Sequence, residues 1–539
     1  MKHPVTFFPA RQSVHVAPGT TLWQAARKLG LLLDTPCNGA GTCAKCRVRI
    51  LAGHTEAAHS VHRLTADELA RGWRLACVTP VTEPLTVEMP DPATARLLSI
   101  LIDGDPVEIL CDHHPDGCLG VAFDLGTTTV AGALVELRTG KTLAVSADMN
   151  RQLQVGDDVI SRIAAVRDNP QALPRLQSLA IDTLNSILHA LCANSNRRTS
   201  DIHRITLAGN TTMQQVLLGM DPSPLGEKPF APAFTDAQTL PATQLGLAAR
   251  PDAELTVFPQ IGGFVGGDTV AGLLASHLDT LDKPTLLVDI GTNGEIALLH
   301  NRQILAASTA AGPAFEGARI RQGMRATAGA IDQLWVQNGT LRHHVIGGLL
   351  PKGLCGSALI DAAALLLQIG LLDETGLLAA PATPPKGLSE PLAHRLTETA
   401  HGTSFCLALD RDDTPLVSLT QQDIRELQLA SGAIRAGIDT LLQKASLTPA
   451  DLDSIRLAGG FGNYIRPGNA MRIGLLPHLP LDRIRFIGNA SLTGAKLALL
   501  SRNEQQRAQA LQAQTRHVEL AAEPAFPDCF MAAMMLAQR

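Results

Sequence analysis

Aromatic residues make up only 3% of the 539-residue chain, and Tyr464 is its single tyrosine. A surface for single-stranded nucleic acid stacks bases on aromatic faces, so little is present to build one. Basic excess is missing as well: 45 Lys and Arg stand against 50 Asp and Glu, a net charge of −5. No electrostatic footprint for DNA or RNA follows from that balance. No run approaches the ~20 apolar residues of a membrane span; the longest stretches, such as Ala362–Leu367 and Phe530–Leu536, are far shorter. The N-terminal Val5-Thr6-Phe7-Phe8-Pro9 reads as a strand, not as the apolar core of a secretory signal, so the expected location is the cytoplasm. The chain lacks a G-x-x-x-x-G-K-[S/T] loop and a Gly-x-Gly-x-x-Gly after a strand, which disfavours a P-loop ATPase and a dinucleotide-binding reductase. Ten cysteines in such a chain point to metal or redox chemistry, not to a disulfide framework.

The composition that remains, 45% hydrophobic and 18% charged, is that of a globular protein, and the length implies several domains. Residues 1–92 read as a small α+β unit. Val5–Phe8 and Ser13–Ala17 suggest a hairpin, and Thr20 or Thr21 caps a helix with Leu22, Ala25, Ala26 and Leu29 on one face. Thr65 and Glu68 have capping-box spacing. Between them Cys37, Cys43 and Cys46 are spaced C-x5-C-x2-C, and Cys77 stands alone thirty residues on. Three thiolates in a tight loop plus a distant fourth is the ligand layout of a ferredoxin [2Fe–2S] cluster. The small residues Asn38–Thr42 let backbone N–H groups approach the sulfides. Structural zinc is the competing reading, but zinc sites come as two Cys pairs. The unit resembles β-grasp ferredoxins, with a first gap one residue longer than the plant-type spacing. Cys111, Cys118, Cys192, Cys355, Cys406 and Cys529 have no ligand spacing and read as buried thiols.

Pro90-Asp91-Pro92 breaks the pattern, and residues 93–117 read as a linker. Beyond it the chain repeats itself. Val121–Thr127 ends in Asp124-Leu125-Gly126-Thr127, and Leu287–Thr292 ends in Asp289-Ile290-Gly291-Thr292. Each is an apolar strand followed by another, and each half later carries Leu-Ala-Gly, at Leu207–Gly209 and Leu457–Gly459. The second copy is longer between its landmarks, which implies an insertion. An Asp-x-Gly-Thr turn after a buried strand can cradle phosphate. Gly126 lets backbone approach an anion, Thr127, Thr128 and Thr129 offer donors, and Gly291, Thr292 and Asn293 repeat the arrangement. Asp124 and Asp289 would face Mg²⁺ on the phosphates of ATP. One such turn is a weak signal; two, with Gly459-Gly460-Phe461 as an adenosine-side loop, resemble the actin/sugar-kinase/Hsp70 (ASKHA) ATPases. Residues 118–205 are expected to form a middle domain, the first lobe, and 206–539 the C-terminal ASKHA domain.

Gly356 and Ser357, opening an apolar helix, and Gly488–Lys496 fit inter-lobe connecting motifs, with helix-packing glycines as the alternative. Asp268 reads as an N-cap or as a nucleotide or metal ligand. Glu316 and Arg319 are polar groups expected near the cleft.

A [2Fe–2S] unit, a linker and a two-lobed ATPase in that order resemble the reductive activators of corrinoid-dependent enzymes over nearly the whole chain. Gly156–Ile163 and Leu207–Met213 are similar to stretches of that family. The resemblance implies ATP-driven transfer of one electron to an inactive Co(II) corrinoid protein of a methyltransferase system, regenerating Co(I). A ferredoxin-type cluster sits near about −400 mV, and each ~59 mV uphill costs tenfold in equilibrium, which gives ATP its purpose. A separate low-potential donor would load the cluster, and a homodimer is the family expectation. An activator of a radical dehydratase ranks second, because its [4Fe–4S] cysteines lie inside the ATPase domain. A redox-regulated ASKHA small-molecule kinase ranks third, since no acceptor site is visible.

Overall fold

The computed structural model describes residues 2–29, 31, 33, 46–55, 60, 64–89, 112, 114, 117–399, 402–459 and 465–536. Cys37, Cys43, Cys111, the segment 93–111, Gly460 and Phe461 lie outside them.

The N-terminal unit comprises β1 (His3–Phe8), β2 (Gln12–Val16), α1 (Leu22–Lys28), β3 (Arg47–Ala52), α2 (Ala66–Ala70), β4 (Trp73–Leu75) and β5 (Leu85–Glu88). The sheet order is β2-β1-β5-β3-β4, with β1 and β5 parallel and α1 crossing between β2 and β3. This is the β-grasp arrangement. Thr21 is the residue that caps α1, in a reciprocal box with Gln24, and Thr65 and Glu68 form the second box at α2. Val5, Phe7, Leu22, Ala25, Ala26, Val48, Leu75 and Val87 are fully buried in its core.

The middle region contains β6 (Leu119–Leu125), β7 (Thr129–Glu136), β8 (Thr142–Met149), α3 (Val159–Asp168), α4 (Ala172–Ser195), β9 (Ile202–Gly209), α5 (Thr211–Leu217), β10 (Gln238–Pro241), β11 (Glu254–Val257) and α6 (Gly267–Ala275). The C-terminal region contains β12 (Thr285–Ile290), β13 (Gly294–His300), β14 (Gln303–Thr309), β15 (Ala330–Gln337), β16 (Thr340–Val345), β17 (Gly353–Leu354), α7 (Gly356–Gln368), α8 (Glu390–Ala393), β18 (Leu396–Thr399), β19 (Gly402–Leu409), β20 (Pro415–Thr420), α9 (Gln421–Lys444), β21 (Ser454–Ala458), α10 (Pro467–Arg472), β22 (Ile484–Phe486), α11 (Ala490–Leu500), α12 (Arg502–Gln514), β23 (Thr515–His517) and α13 (Phe526–Ala533).

The internal echo is a duplication of the fold. One sheet runs β11-β9-β6-β7-β8 and the other β22-β21-β12-β13-β14, each carrying one extra edge strand. In both, the first three strands form an antiparallel meander and the next two add in parallel. The expected insertion lies between β14 and β21. It holds α7, α8 and two three-stranded sheets, β16-β15-β17 and β18-β19-β20, while α9 packs on β13 and β14 as α4 packs on β7 and β8.

The expected boundary at 205/206 is corrected by this topology. It would cut β9, which pairs with β6 at Phe123↔Leu207 and therefore belongs to the first lobe. That lobe continues through α6, and the second begins with β12.

Leu184, Ile187, Leu188 and Leu191 of α4 pack with Phe123 and Leu207 of the first sheet; each such side chain contributes roughly 1.5–3 kcal/mol by burial. Between the two sheets lie α6 and α11, with Val270, Leu274, Ala490 and Ala495 in a shared core. Gly494 abuts the Ala271 backbone, where any Cβ would collide. The lobes thus meet at a close helix crossing.

Candidate functional site

Antiparallel pairing of β3 with β4 sets Arg47 opposite Leu75. Cys46, just before β3, therefore meets Cys77, just after β4. Their Sγ atoms are 3.2 Å apart and both side chains are buried. A disulfide needs about 2.05 Å, so the pair is not bonded; two thiolates at this spacing fit a shared iron of an Fe–S cluster. The fold thus brings Cys46 and Cys77 together, and among the described residues the other thiols, Cys118, Cys192, Cys355, Cys406 and Cys529, are buried apart from one another.

In the duplicated lobes, β6 and β12 each end in an Asp and a Gly-Thr turn. Leu-Ala-Gly follows on the neighbouring parallel strand, and its glycine presses on the residue after the Asp. A Cβ on Gly209 would lie 2.8 Å from the Leu125 carbonyl oxygen. At Gly459, with φ +102°, it would lie 2.5 Å from the Ile290 carbonyl oxygen and 2.7 Å from Asp289 Oδ1. The repeated motif is therefore a steric seat for the end of each strand, and at Gly459 for Asp289 itself.

The two turns face one another: Thr128 Oγ1 and Thr292 Oγ1 are 3.5 Å apart. Gly291 N–H donates to the Asn293 carbonyl at 3.0 Å, closing the second turn. Gly126 crowds the Thr129 carbonyl at the first. Thr127 is buried, and its hydroxyl accepts from Asn210 Nδ2 at 2.8 Å, which leaves its O–H free to donate. Thr292 donates to Glu316, which places Glu316 at the cleft. Arg319 points away to Glu426, 4.0 Å distant.

Four carboxylates converge beneath the turns, each part-exposed at the cleft floor. Strand register sets Glu295 directly opposite Asp289, where the first lobe has Ala131 opposite Asp124. Asp268 enters from α6. It is not an N-cap: Gly266 holds that place, and Asp268 lies two residues further, accepting from the N–H and the hydroxyl of Thr269. Asp124 accepts from Asn489 Nδ2 at 2.9 Å and Ser491 Oγ at 2.8 Å, both from the start of α11 in the opposite lobe. Asp289 accepts no hydrogen bond from any described residue. Desolvation, then Asp124, then Asp268, push the Asp289 carboxyl up to about 7. Desolvation, reinforced by Asp124, brings Asp268 to about 7. Desolvation, with Asp268 and Asp289 nearby, holds Glu295 well above the usual carboxylate range. Asp124 is also raised by burial, with Asn489 and Ser491 opposing the shift. So many carboxylates without a described lysine or arginine side chain bonded to them fit a divalent cation.

Gly356 and Ser357 do not line this cleft. Both are buried: Gly356 lies against the Phe315 carbonyl and Ser357 Oγ donates to the Asp332 carbonyl at 2.8 Å. They seat α7 behind Glu316. Sequence reasoning missed Glu295, Asn489, Ser491 as an Asp124 clamp, and Arg162, whose buried guanidinium donates to the Thr127 carbonyl at 2.7 Å.

Comparison with known proteins finds family models along the chain. Residues 5–82 match the 2Fe-2S iron-sulfur cluster binding domain, 119–281 the RACo middle region, and 283–539 the C-terminal domain of RACo, the ASKHA domain. The chain is 32% identical to the corrinoid activation enzyme RamQ of Eubacterium limosum, over 98% of both chains. It is 27% identical to the [Co(II) methylated amine-specific corrinoid protein] reductase of Methanosarcina barkeri, over 71% of this chain and 70% of that one. Its fold matches a solved reductive activator for corrinoid, iron-sulfur protein with a TM-score of 0.73 and 29% identity, covering 99% and 98% of the two chains. With a 2Fe-2S domain, the two lobes and a full-length relative in hand, the chain belongs to the RACo family.

Proposed function

We propose that the protein is an ATP-dependent reductive activator: it passes one electron from its [2Fe–2S] cluster to a Co(II) corrinoid protein, regenerating Co(I) for methyl transfer. The observation that carries the ATPase half is Asp289, a carboxylate without a hydrogen-bond donor, facing three other carboxylates between two Gly-Thr turns. Asp289 and Asp124 hold Mg²⁺ on the nucleotide. Backbone N–H groups of Gly126–Thr129 and Gly291–Asn293 bind the phosphates, with the Thr128 and Thr292 hydroxyls on either side. Gly459, Gly460 and Phe461 serve the adenosine end. Glu316 orients Thr292. Because Asn489 and Ser491 reach Asp124 from the opposite lobe, ligation of Asp124 is felt by both lobes, which suits closure on nucleotide.

The cluster, when bound, supplies the single electron; Cys37, Cys43, Cys46 and Cys77 hold it. The corrinoid partner is inferred from the similarity to RamQ and to the Methanosarcina barkeri corrinoid-protein reductase. A separate low-potential protein loads the cluster, in the cytoplasm, and the working unit is a homodimer. Phosphate release measured with and without a Co(II) corrinoid protein tests this reading. Stimulation by that protein is expected; stimulation only by a dehydratase component or a small-molecule phosphoryl acceptor overturns it.

A further inference from the structure

Arg162 is among the largest fully buried side chains, yet its hydrogen bonds go to no carboxylate. Nε donates to the Gly156 carbonyl at 3.0 Å, Nη1 to Gln152 Oε1 at 3.0 Å, and Nη2 to the Thr127 carbonyl at 2.7 Å. Burial of a guanidinium without an ion pair is costly, so the position asks for a reason. Its neighbours supply one. Asn150 Nδ2 donates to the Gly126 carbonyl at 2.9 Å and to Gln152 Oε1 at 3.1 Å. The turn from Asn150 to Gly156, with Arg162 threaded through it, therefore grips two successive carbonyls of the first phosphate turn. Pulling those carbonyls back turns the following N–H groups toward the cleft, and the buried cation sits behind the anion site.

The other end of the same turn touches the cluster domain. Arg27 Nη2, on α1, donates to the Val155 carbonyl at 3.0 Å, while its guanidinium lies 4.5 Å over the Trp23 ring. Trp23 N–H donates to the carbonyl of Ala76, the neighbour of Cys77, at 3.0 Å. At Gly156 the chain passes close to α3: a Cβ there would strike Ser161 in its first turn. A continuous set of bonds thus runs from beside Cys77 through Trp23, Arg27, Val155–Gly156 and Arg162 to Thr127.

We propose that Arg162 is a positioning residue for the first phosphate turn and that the docked cluster domain sets it through Arg27, so that nucleotide binding and docking of the cluster domain favour each other. This rests on the Mg·ATP reading of the cleft. Linkage makes the effect reciprocal: ATP tightens the docking of α1 as much as docking tightens ATP. A double-mutant cycle measures the coupling.

The cycle uses full-length protein with its cluster, comparing wild type, Arg27→Gln, Arg162→Lys and the double variant by the Kd for Mg·ATP. Arg162→Lys keeps the charge but loses the fork, and weakens binding by about tenfold; Arg27→Gln weakens it by about threefold to fivefold. In the double variant Arg27→Gln adds nothing further. In the same samples Mg·ATP slows hydrogen exchange in 22–28 of wild type, and not of Arg162→Lys. Wild-type Kd in Arg27→Gln, additive losses in the double variant, or equal slowing in Arg162→Lys each overturn the proposal. Failure of wild type to bind Mg·ATP at all overturns the nucleotide reading instead. Should Arg162→Lys not fold, Asn150→Ala, which frees the Gly126 carbonyl, takes its place in the cycle.

Discussion

Asn489, at the start of the last lobe's α11, donates its amide to Asp124 at the end of the first lobe's β6, 2.9 Å away. By the duplication, α11 corresponds to α6, and Ser491 stands where α6 carries Asp268. One Asp of the repeat is therefore met by two donors and the other by a further carboxylate. Asn489→Ala combined with Ser491→Ala leaves Asp124 buried without donors. We expect Mg·ATP affinity to fall by about tenfold or more, with the visible cluster spectrum unchanged. Calorimetric titration with Mg·ATP checks it.

Gly459→Ala drives a methyl toward the Ile290 carbonyl and Asp289 Oδ1 from a backbone φ of +102°. Strain of this kind costs about 1–3 kcal/mol. Thermal unfolding should show a lowered midpoint, and ATP hydrolysis should fall by about a hundredfold as Asp289 is displaced. Gly209→Ala, pressing on Leu125 and not on the Asp itself, should lose stability with a smaller loss of turnover.

The raised carboxyls of Asp289 and Asp268, both near 7, set a pH dependence with a definite sign. The folded apo-protein binds more protons than the unfolded chain between about pH 4, the ordinary carboxylate value, and 7. Its stability therefore falls as pH rises through that window. Mg²⁺ needs the ionised forms, so Mg·ATP affinity should rise over the same range and level off above 7. Glu295→Gln removes one crowding charge and should raise the apo-protein melting temperature at pH 8 by roughly 2–5 °C while weakening Mg²⁺ binding. A melting curve that is flat in pH would contradict the crowding.

Cys77→Ser removes a thiolate that lies 3.2 Å from its partner Cys46. The reconstituted variant should lose the visible cluster absorbance and all corrinoid reduction, while Mg·ATP still binds within about fivefold of wild type. Absorbance and titration on one sample separate the two activities.

Much of this was legible because local chemistry leaves local marks. Cys-x5-Cys-x2-Cys and a lone Cys77 imply a cluster before any pairing is known, and β3–β4 pairing then brings Cys46 and Cys77 together. The repeated Asp-x-Gly-Thr turns survive as words in the sequence because a tight turn tolerates few residues. Asp268 left an ambiguous mark and Glu295 a fainter one. The first reads equally as a cap or a ligand and the second as an ordinary strand residue; only register and the α6–α11 crossing aim them at Asp289. Glu295 did carry a signal, a lone charge opening the apolar run Ile296–Leu299. Arg162 lies in the stretch Gly156–Ile163 that resembles the family, but nothing local says that the face of α3 carrying it is buried. The misplaced boundary has a topological cause: β9 joins β6 only after the long excursion through α3 and α4.

The central claim is tested most directly by the cobalt itself. Anaerobically reduced protein is mixed with a Co(II) corrinoid protein, and the Co(I) absorbance is followed with and without Mg·ATP. The account predicts that Co(I) appears with Mg·ATP, and that it is lost in Asp289→Ala and in Cys43→Ser. Absence of Co(I) from a sample with an intact cluster and an active ATPase would contradict it.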